Sequence, residues 1–242
     1  MENNISQEES QKIMIERPSE IVIFNDENNN IGGSIHLWHN RPDYNGRKTS
    51  YIGNVNIHEK YRKNEEQLFN KIFEELKKEG IETIIGPLNG TTWNTYRYVT
   101  EKGNGRPFLL EPWNEDYSVS LFEKLGFKPL AGYISTVMEG MNSNGRKNLD
   151  KKIEKLKKFD YYKDTRVESA ENKDLLTVLN KVYDLTVEAF KNNFLYSELE
   201  REIFLKMYMS YEDKIVKKFF KMLYLKGELI GYVFGIPDYA EL

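Results

Sequence analysis

Two side chains in the first half of the chain have the chemistry of a general base and stand where apolar segments end. Glu111 follows the apolar run 107–110 and precedes Pro112, so we expect its carboxyl group to be buried at a strand end. A buried carboxylate takes up a proton readily, which suits a base, and a structural hydrogen bond is the alternative that stays open. His58 follows the predicted strand 51–57 and is the histidine best placed to act as a base.

The rest of the composition limits other chemistries. The chain contains no cysteine, which excludes thiol catalysis, disulfides and thiolate metal sites. Its three histidines lack the paired spacing of a metal site, so we expect no metal. His36 stands beside Trp38 on a predicted strand and is expected to pack rather than to react.

The segment between the two candidate bases carries polar and aromatic side chains that can contact a ligand. Its sequence is GPLNGTTWNTYR. Asn89 and Thr92 are expected either to bind a ligand or to cap a short helix that begins at residue 91 or 92. Trp93 is either a core anchor or a stacking platform for a substrate. Arg97 is either a contact for a phosphate or carboxylate, or an ion-pair partner of Glu111.

Hydrophobic periodicity predicts the elements that position these side chains. In the first half it predicts strands at 21–24, 31–38, 51–57, 84–85, 107–110 and 128–138, and helices at 65–78 and 116–125. In the second half it predicts a charged helix near 149–161, a strand at 165–170, helices at 174–191 and from Ser197 past Met207, and a hairpin of strands 219–225 and 229–236. Strict alternation places Ile52 and Ile57 on opposite faces of their strand.

Charge and hydropathy exclude some classes of partner. The 242 residues carry a formal net charge of −3, which argues against binding nucleic acid through a global positive charge. No stretch approaches roughly 18 consecutive apolar residues, so we expect no membrane span. The polar N-terminus MENNISQEES is neither a signal nor a transit peptide, and we expect a cytoplasmic protein. The heavy use of Asn, Lys, Ile and Tyr is typical of AT-rich bacterial genomes.

Three motifs together carry a resemblance to a known family. The helix at 116–125 closes on LFEKLGF, which resembles the last helix-to-strand junction of the GNAT superfamily of acyl-CoA-dependent N-acetyltransferases. With GPLNGTTWNTYR and FLLEPWNEDY added, the chain is similar to a bacterial subgroup that has two GNAT-like halves in tandem. The resemblance implies an α/β (α+β) fold with a mixed, mostly antiparallel central sheet flanked by helices.

The order of predicted elements then suggests a domain plan. Residues 1–19 are expected to be a flexible leader, and 20–140 a GNAT-like unit that lacks the opening strand and helices. Residues 141–150 are expected to be a linker, and 151–242 a partial second unit with an opening strand, two helices and a hairpin. This second unit either stands as the start of another half or completes the first sheet. The edge of its hairpin favours docking within the chain or a homodimer.

The resemblance also implies a site for acetyl-CoA. Ile57 and Arg62 fall where the family has its strand end and basic residue, ahead of a glycine-containing loop that cradles the CoA diphosphate. Glu65 and Gln67 hold the glycine positions here, so a carboxylate stands where positive potential is needed. Asn89 and Thr92 are expected to contact the cofactor as well.

The remaining implied roles concern the substrate and proton transfer. Trp93 and Arg97 are expected to contact the substrate. Many family members place a tyrosine in the last helix as general acid toward the leaving thiolate. Phe122 stands at that position here, and Tyr117, one turn earlier, is the candidate substitute; its alternative is an amphipathic surface tyrosine.

Two functions are compatible with these residues. The first is an N-acetyltransferase in which an amine of a small molecule or peptide attacks acetyl-CoA. His58 or Glu111 would deprotonate the amine, and backbone N–H groups of the splayed fourth strand would polarise the carbonyl. The alternative is a catalytically inactive GNAT-fold module that binds a ligand or partner, which the departures at Glu65, Gln67 and Phe122 favour.

Overall fold

The protein contains two compact units, which are described here from a computed structural model. The structure describes residues 15–25, 28–103, 107–108, 111–136 and 143–237. Unit 1 comprises Met1–Phe127, Phe190–Leu199 and Tyr239–Leu242, and unit 2 comprises Lys128–Ala189 and Glu200–Asp238. The change from one unit to the other at Phe127 therefore precedes the linker predicted at 141–150, and the later segment Phe190–Leu199 returns to unit 1.

Unit 1 is built on a four-stranded sheet in the order β1-β2-β3-β4. The strands are β1 (Glu20–Asn25), β2 (Ile31–Trp38), β3 (Thr49–Ile57) and β4 (Thr83–Ile85). Strand β2 pairs antiparallel with both β1 and β3, and β4 lies parallel to β3. In the part of the chain that the structure describes, the unit also contains the helices α1 (Glu65–Lys78) and α2 (Asp116–Lys124).

The core of unit 1 forms where these helices pack on the sheet. Its buried side chains come from β2, β3, α1 and α2 and from Ile81 ahead of β4: Ile35, Leu37, Ile52, Ile57, Phe69, Ile72, Leu76, Ile81, Leu121 and Phe122. Ile52 and Ile57 therefore share a core, although strict alternation places them on opposite faces. The cause is a bulge, because the pairing of β2 with β3 shifts by one residue between Ser34 and His36.

Unit 2 contains a separate three-stranded antiparallel sheet in the order β5-β6-β7. Its elements are α3 (Ser143–Leu156), β5 (Thr165–Ser169), α4 (Leu175–Phe190), α5 (Arg201–Met209), β6 (Phe220–Leu225) and β7 (Glu228–Phe234). The predicted turn of the hairpin is present, with both Lys226 and Gly227 at positive φ. Among the described strands, those of unit 2 pair only with one another, so they do not extend the first sheet.

The predicted fold class is confirmed, and the longer elements lie close to their predicted bounds. The strand predicted at 128–138 is wrong for its described part, because residues 128–136 have no partner strand and Ile134 is 90% exposed. The helix predicted near Thr92 is also wrong. There the chain makes a turn in which the Trp93 N–H donates to Thr91 Oγ1, and Leu88 bridges to Tyr96.

Three further predictions differ from the structure at their boundaries. Pro107 and Phe108 are not in a strand, and the rest of the strand predicted at 107–110 lies outside the described residues. The predicted linker 141–150 overlaps α3, which already begins at Ser143. Residues 15–19 of the predicted leader belong to unit 1, where the Ser19 N–H donates to the Leu37 carbonyl at 2.8 Å. The earlier leader residues lie outside the described part.

Two features are absent from the residues that the structure describes. None of their helices has both the length and the apolar character that crossing a membrane requires. Within the same residues, no three His, Asp or Glu side chains group in a way that could hold a metal ion.

Candidate functional site

Strands β3 and β4 separate after a short parallel pairing. Only Thr49–Tyr51 of β3 pairs with Thr83–Ile85 of β4. The Leu88 N–H then donates to the Ile52 carbonyl at 2.9 Å, and β3 continues to Ile57. We call residues 52–57 of β3 and the segment 86–90 after β4 the strand wedge. A strand edge that leaves its neighbour in this way offers backbone donors and acceptors to a ligand.

The bulge of β3 lies within the strand wedge and changes the backbone conformation of Asn54. Asn54 has a φ of +43°, a left-handed conformation that asparagine tolerates better than most residues. Its backbone N–H donates to Asn89 Oδ1 at 3.0 Å. Strained backbone at a point where strands separate is a feature that often accompanies function.

A buried carboxylate lies against these two asparagines. Glu16 is 3% exposed; its Oε1 accepts a hydrogen bond from Asn89 Nδ2 at 3.0 Å, and its Oε2 accepts one from Asn54 Nδ2. The Glu16 main-chain carbonyl accepts the Trp38 indole N–H at 2.8 Å. Burying a charge is costly unless hydrogen bonds satisfy it, and here both carboxylate oxygens are satisfied.

His36 completes this group. Its Nδ1 lies 3.3 Å from Asn54 Nδ2, and its side chain is buried beside Trp38, with ring centroids 6.1 Å apart. Asn54 Nδ2 can donate one hydrogen to Glu16 and the other to His36, while Asn54 Oδ1 accepts from Asn89 at 2.6 Å. We call Glu16, His36, Asn54 and Asn89 the Glu16 cluster. It contains two groups that can hold a proton, bridged by the amide of Asn54.

Sequence reasoning identified only one member of the Glu16 cluster as a site residue. Asn89 was a candidate, and it lies in the cluster. Glu16 was missed because it belongs to a polar N-terminal stretch with no motif. Asn54 was missed because alternation cannot reveal a bulge. His36 was expected to pack, and it does lie in a buried position on β2.

The start of α1 holds the other predicted cofactor residues. Ile57 is buried in the core, and His58 precedes a 3₁₀ helix, Glu59–Asn64, that runs directly into α1. The ring of His58 is exposed and lies edge-on to Tyr61, with centroids 6.0 Å apart. Arg62 lies with its guanidinium 3.7 Å from the centre of the Tyr117 ring and forms an ion pair with Glu115 at 3.0 Å. The structure thus brings two predicted residues, Arg62 and Tyr117, into contact.

Glu65 does not face the solvent at the start of α1. It is 4% exposed, accepts a hydrogen bond from the Tyr117 hydroxyl, and lies 3.5 Å from Lys124 Nζ. Burial and the Glu65 carboxylate raise the pKa of Tyr117 well above its usual range. Tyr117 therefore holds its proton toward Glu65, and its role as a general acid stays a prediction.

The remaining predicted residues occupy the loop after β4 and the segment before α2. Thr92 and Trp93 lie in the turn at 91–95, and the Trp93 indole donates to the Ser197 carbonyl at 2.9 Å. Arg97 has a φ of +65° and lies 4.4 Å over the Tyr96 ring. Glu111 is half-buried, and its N–H donates to the Phe108 carbonyl at 3.0 Å. The catalytic and substrate roles expected of these residues stay predictions.

Comparison with known proteins gives only distant likenesses. No protein-family model matches the chain, and no curated protein matches it. Solved structures that superpose on it include an acetyltransferase from Trypanosoma brucei, with 19% identity over 56% of this chain and 82% of that chain and a TM-score of 0.33. Glucosamine-6-phosphate N-acetyltransferase from Arabidopsis thaliana matches at 12% identity over 57% of this chain and 83% of its own, with a TM-score of 0.34.

A third solved structure has a different description. A transcriptional regulator from Bacillus halodurans matches at 18% identity over 55% of this chain and 77% of that chain, with a TM-score of 0.35. Acetyltransferases are thus among the solved structures that the chain resembles. At these TM-scores the likeness says nothing about activity, which depends on the contacts of the chain itself.

Proposed function

We propose that the chain is a GNAT-like N-acetyltransferase that transfers an acetyl group from acetyl-CoA to an amine of a small molecule or peptide. The observation that carries the proposal is the Glu16 cluster, a buried carboxylate held at the point where β3 leaves β4. A buried charge seldom improves stability over an apolar side chain of similar size, so its presence at a strand end favours a chemical role.

The strand wedge suits the pantetheine arm of CoA. That arm carries two amide groups, which can pair with the edge of β3 over residues 52–57 in the manner of an added strand. Lys60, Arg62 and Lys63 of the 3₁₀ helix supply cations near the start of α1 for the diphosphate. The Glu65 carboxylate is directed inward to Tyr117 and Lys124, so it does not meet that diphosphate at the surface.

Residues of the strand wedge also suit acyl transfer. Bound acetyl-CoA supplies a thioester, whose carbonyl carbon the amine attacks with release of the CoA thiol. The Asn54 N–H currently donates to a side-chain oxygen of Asn89, which a substrate carbonyl oxygen can replace. Glu16 accepts the proton that the amine loses, and the two asparagine amides hold its carboxylate in place. We prefer Glu16 to His58 and Glu111 as the base because its carboxylate contacts the strand wedge.

The test is an acetyl-transfer assay on the purified chain. Acetyl-CoA is incubated with a panel of primary amines, small peptides included, and both free thiol and acetylated product are measured, the latter by mass spectrometry. The proposal expects thiol release that depends on the amine and matches the product in amount. A folded protein that releases no thiol above the blank with any amine, and that does not bind acetyl-CoA, would contradict it.

A further inference from the structure

Unit 1 contains a cavity of about 320 Å³ outside the strand wedge. One wall consists of residues 42–45 and Tyr51, and the other consists of residues 191–193 and 195–197, from the segment Phe190–Leu199 that belongs to unit 1. Small-molecule sites typically have volumes of about 300–1,000 Å³, so the cavity is large enough for a compact metabolite.

Aromatic contacts hold in place the cavity wall that comes from the segment Phe190–Leu199. Tyr44 meets Phe194 edge to face, with ring centroids 6.2 Å apart. Trp93 donates its indole N–H to the Ser197 carbonyl at 2.9 Å and lies 6.2 Å from the Tyr196 ring. Trp93, expected from the sequence to contact a substrate, thus supports a cavity wall. Fixed walls reduce the ordering that a ligand has to impose on binding.

The other wall, formed by residues 42–45 and Tyr51, contains the carboxylate of Asp43, which a hydrogen bond holds in place. Asp43 Oδ1 accepts the Thr49 N–H at 3.0 Å, and the hydroxyl of the neighbouring Tyr51 donates to the Pro42 carbonyl at 2.7 Å. Burial, and then the charge of Asp43, raise the pKa of Tyr51 above its usual value. Asp43 is therefore close enough to the Tyr51 phenol to act on it, and both residues line the cavity.

The chemical character of the lining combines both charges with phenol rings. Asp43 contributes a carboxylate and Lys191 an ammonium group, and Tyr44, Tyr51 and Tyr196 contribute three rings. A carboxylate beside aromatic faces stabilises an ammonium ion. The Lys191 ammonium is in turn suited to a carboxylate. A ligand that carries both groups matches this lining better than a simple cation or anion.

We propose that this cavity is a binding site for a small zwitterionic amino compound of the amino-acid class. Its ammonium group contacts Asp43 and the tyrosine rings, and its carboxylate contacts Lys191. The site stands independently of acyl transfer at the strand wedge, because it requires neither acetyl-CoA nor the Glu16 cluster.

The experiment is calorimetric titration of the full chain without acetyl-CoA. The probes are amino acids and their decarboxylated counterparts: L-leucine with isopentylamine, L-phenylalanine with phenethylamine, and L-lysine with cadaverine. We expect at least one amino acid to bind, and its amine to bind more weakly. Asp43→Asn should weaken both by roughly tenfold or more, the scale of a charge-assisted hydrogen bond. Lys191→Met should weaken only the amino acid and remove its advantage over the amine.

Two matched variants control for the change in net charge. Asp150→Asn and Lys151→Met change exposed residues on α3, outside the cavity, and should leave the affinities unchanged. Asp43→Asn is expected to fold, because an asparagine oxygen still accepts the Thr49 N–H. Failure of every probe to bind the folded wild-type chain would overturn the proposal. So would an Asp43→Asn variant that binds as tightly as the wild type.

Discussion

Glu16 is the residue on which the proposed chemistry depends. Its carboxylate is 3% exposed and lies between amides from two separating segments, Asn54 on β3 and Asn89 after β4. A structural role alone could be filled by a neutral side chain at this position, since replacing a buried charge with apolar groups is often neutral or stabilising. The presence of a carboxylate here therefore favours the chemical role proposed for Glu16.

Substituting Glu16 tests that role directly. Glu16→Gln keeps the size of the side chain but removes the proton acceptor, so kcat/KM for acetyl transfer should fall by about 10²-fold or more. The Kd for acetyl-CoA, measured by calorimetry, should stay the same because the strand edge is unchanged. Glu75→Gln, an exposed change on α1, is the control. A Glu16→Gln variant that folds and keeps the wild-type rate and pH profile would rule out Glu16 as the base.

The stability of the folded state should depend on pH in the alkaline range because of Tyr98. Its ring lies edge-on to Phe122 in the core of unit 1, and burial raises its pKa to about 12. The usual value for tyrosine is about 10, so the folded state keeps a proton that the unfolded state releases between these pH values. This stabilisation is complete below pH 10 and is lost as the pH rises toward 12.

Urea unfolding across this range measures the effect. The wild-type free energy of unfolding should fall as the pH rises from about 10 to about 12, and the fall should be shallower in Tyr98→Phe. Tyr208, whose pKa burial also raises to about 12, accounts for part of the remaining slope. Equal slopes in the wild type and Tyr98→Phe would show that the Tyr98 phenol ionises as easily in the folded state as in the unfolded state.

At the scale of elements, the strand wedge depends on two local features that periodicity does not encode. One is the bulge at Asn54, which places Ile52 and Ile57 in the same core. The other is the turn after β4, where Gly90 adopts a φ of +79° beside the Trp38 indole. The alternating pattern of β3 predicted the strand itself. It did not predict where that strand changes face, because a bulge adds a residue without a change in hydrophobicity.

A comparison of Gly90 in this turn with Gly80 after α1 separates the cost of backbone strain from the cost of packing. Gly90 and Gly80 have φ values of +79° and +82°, so alanine at either position costs about 1 kcal/mol in backbone strain. A Cβ at Gly90 would also lie 2.7 Å from Trp38 Nε1, whereas a Cβ at Gly80 has no heavy atom within 4 Å. Gly90→Ala should therefore lower the free energy of unfolding by about 1–3 kcal/mol more than Gly80→Ala.

Urea denaturation of both variants measures this difference. Gly90→Ala should also reduce acetyl transfer, because the Trp38 indole donates to the main-chain carbonyl of Glu16. Gly80→Ala should not reduce it. If the two variants lose the same stability, the Trp38 indole moves aside freely and does not fix Glu16.

At the scale of the whole molecule, the sequence predicted the elements better than their assembly. The helices α1 and α2 match the predicted bounds almost to the residue, because each has a clear apolar stripe and a start or stop residue. The strand predicted at 128–138 is wrong over its described residues, 128–136, because its apolar residues have no partner strand there. The return of Phe190–Leu199 to unit 1 could not be read from local patterns, since it depends on contacts with Trp93 and Tyr44 far away in sequence.

The same limit applies to the candidate site. Asn89 was predicted because it follows a strand end, a signal carried by adjacent residues. Glu16 and His36 join it only through tertiary contacts that span the sheet. Long-range polar contacts of this kind leave no period or motif in the sequence, so the Glu16 cluster emerges only from the fold.

Hydrogen–deuterium exchange with and without acetyl-CoA tests the central claim most directly. If the pantetheine arm pairs with the edge of β3 that faces away from β2, acetyl-CoA should slow exchange in residues 52–57 and in the 3₁₀ helix at 59–64. It should leave unit 2, including the β5-β6-β7 sheet, unchanged. Absence of protection in residues 52–57 of a folded protein saturated with acetyl-CoA, or protection confined to unit 2, would contradict the strand wedge as the site of acyl transfer.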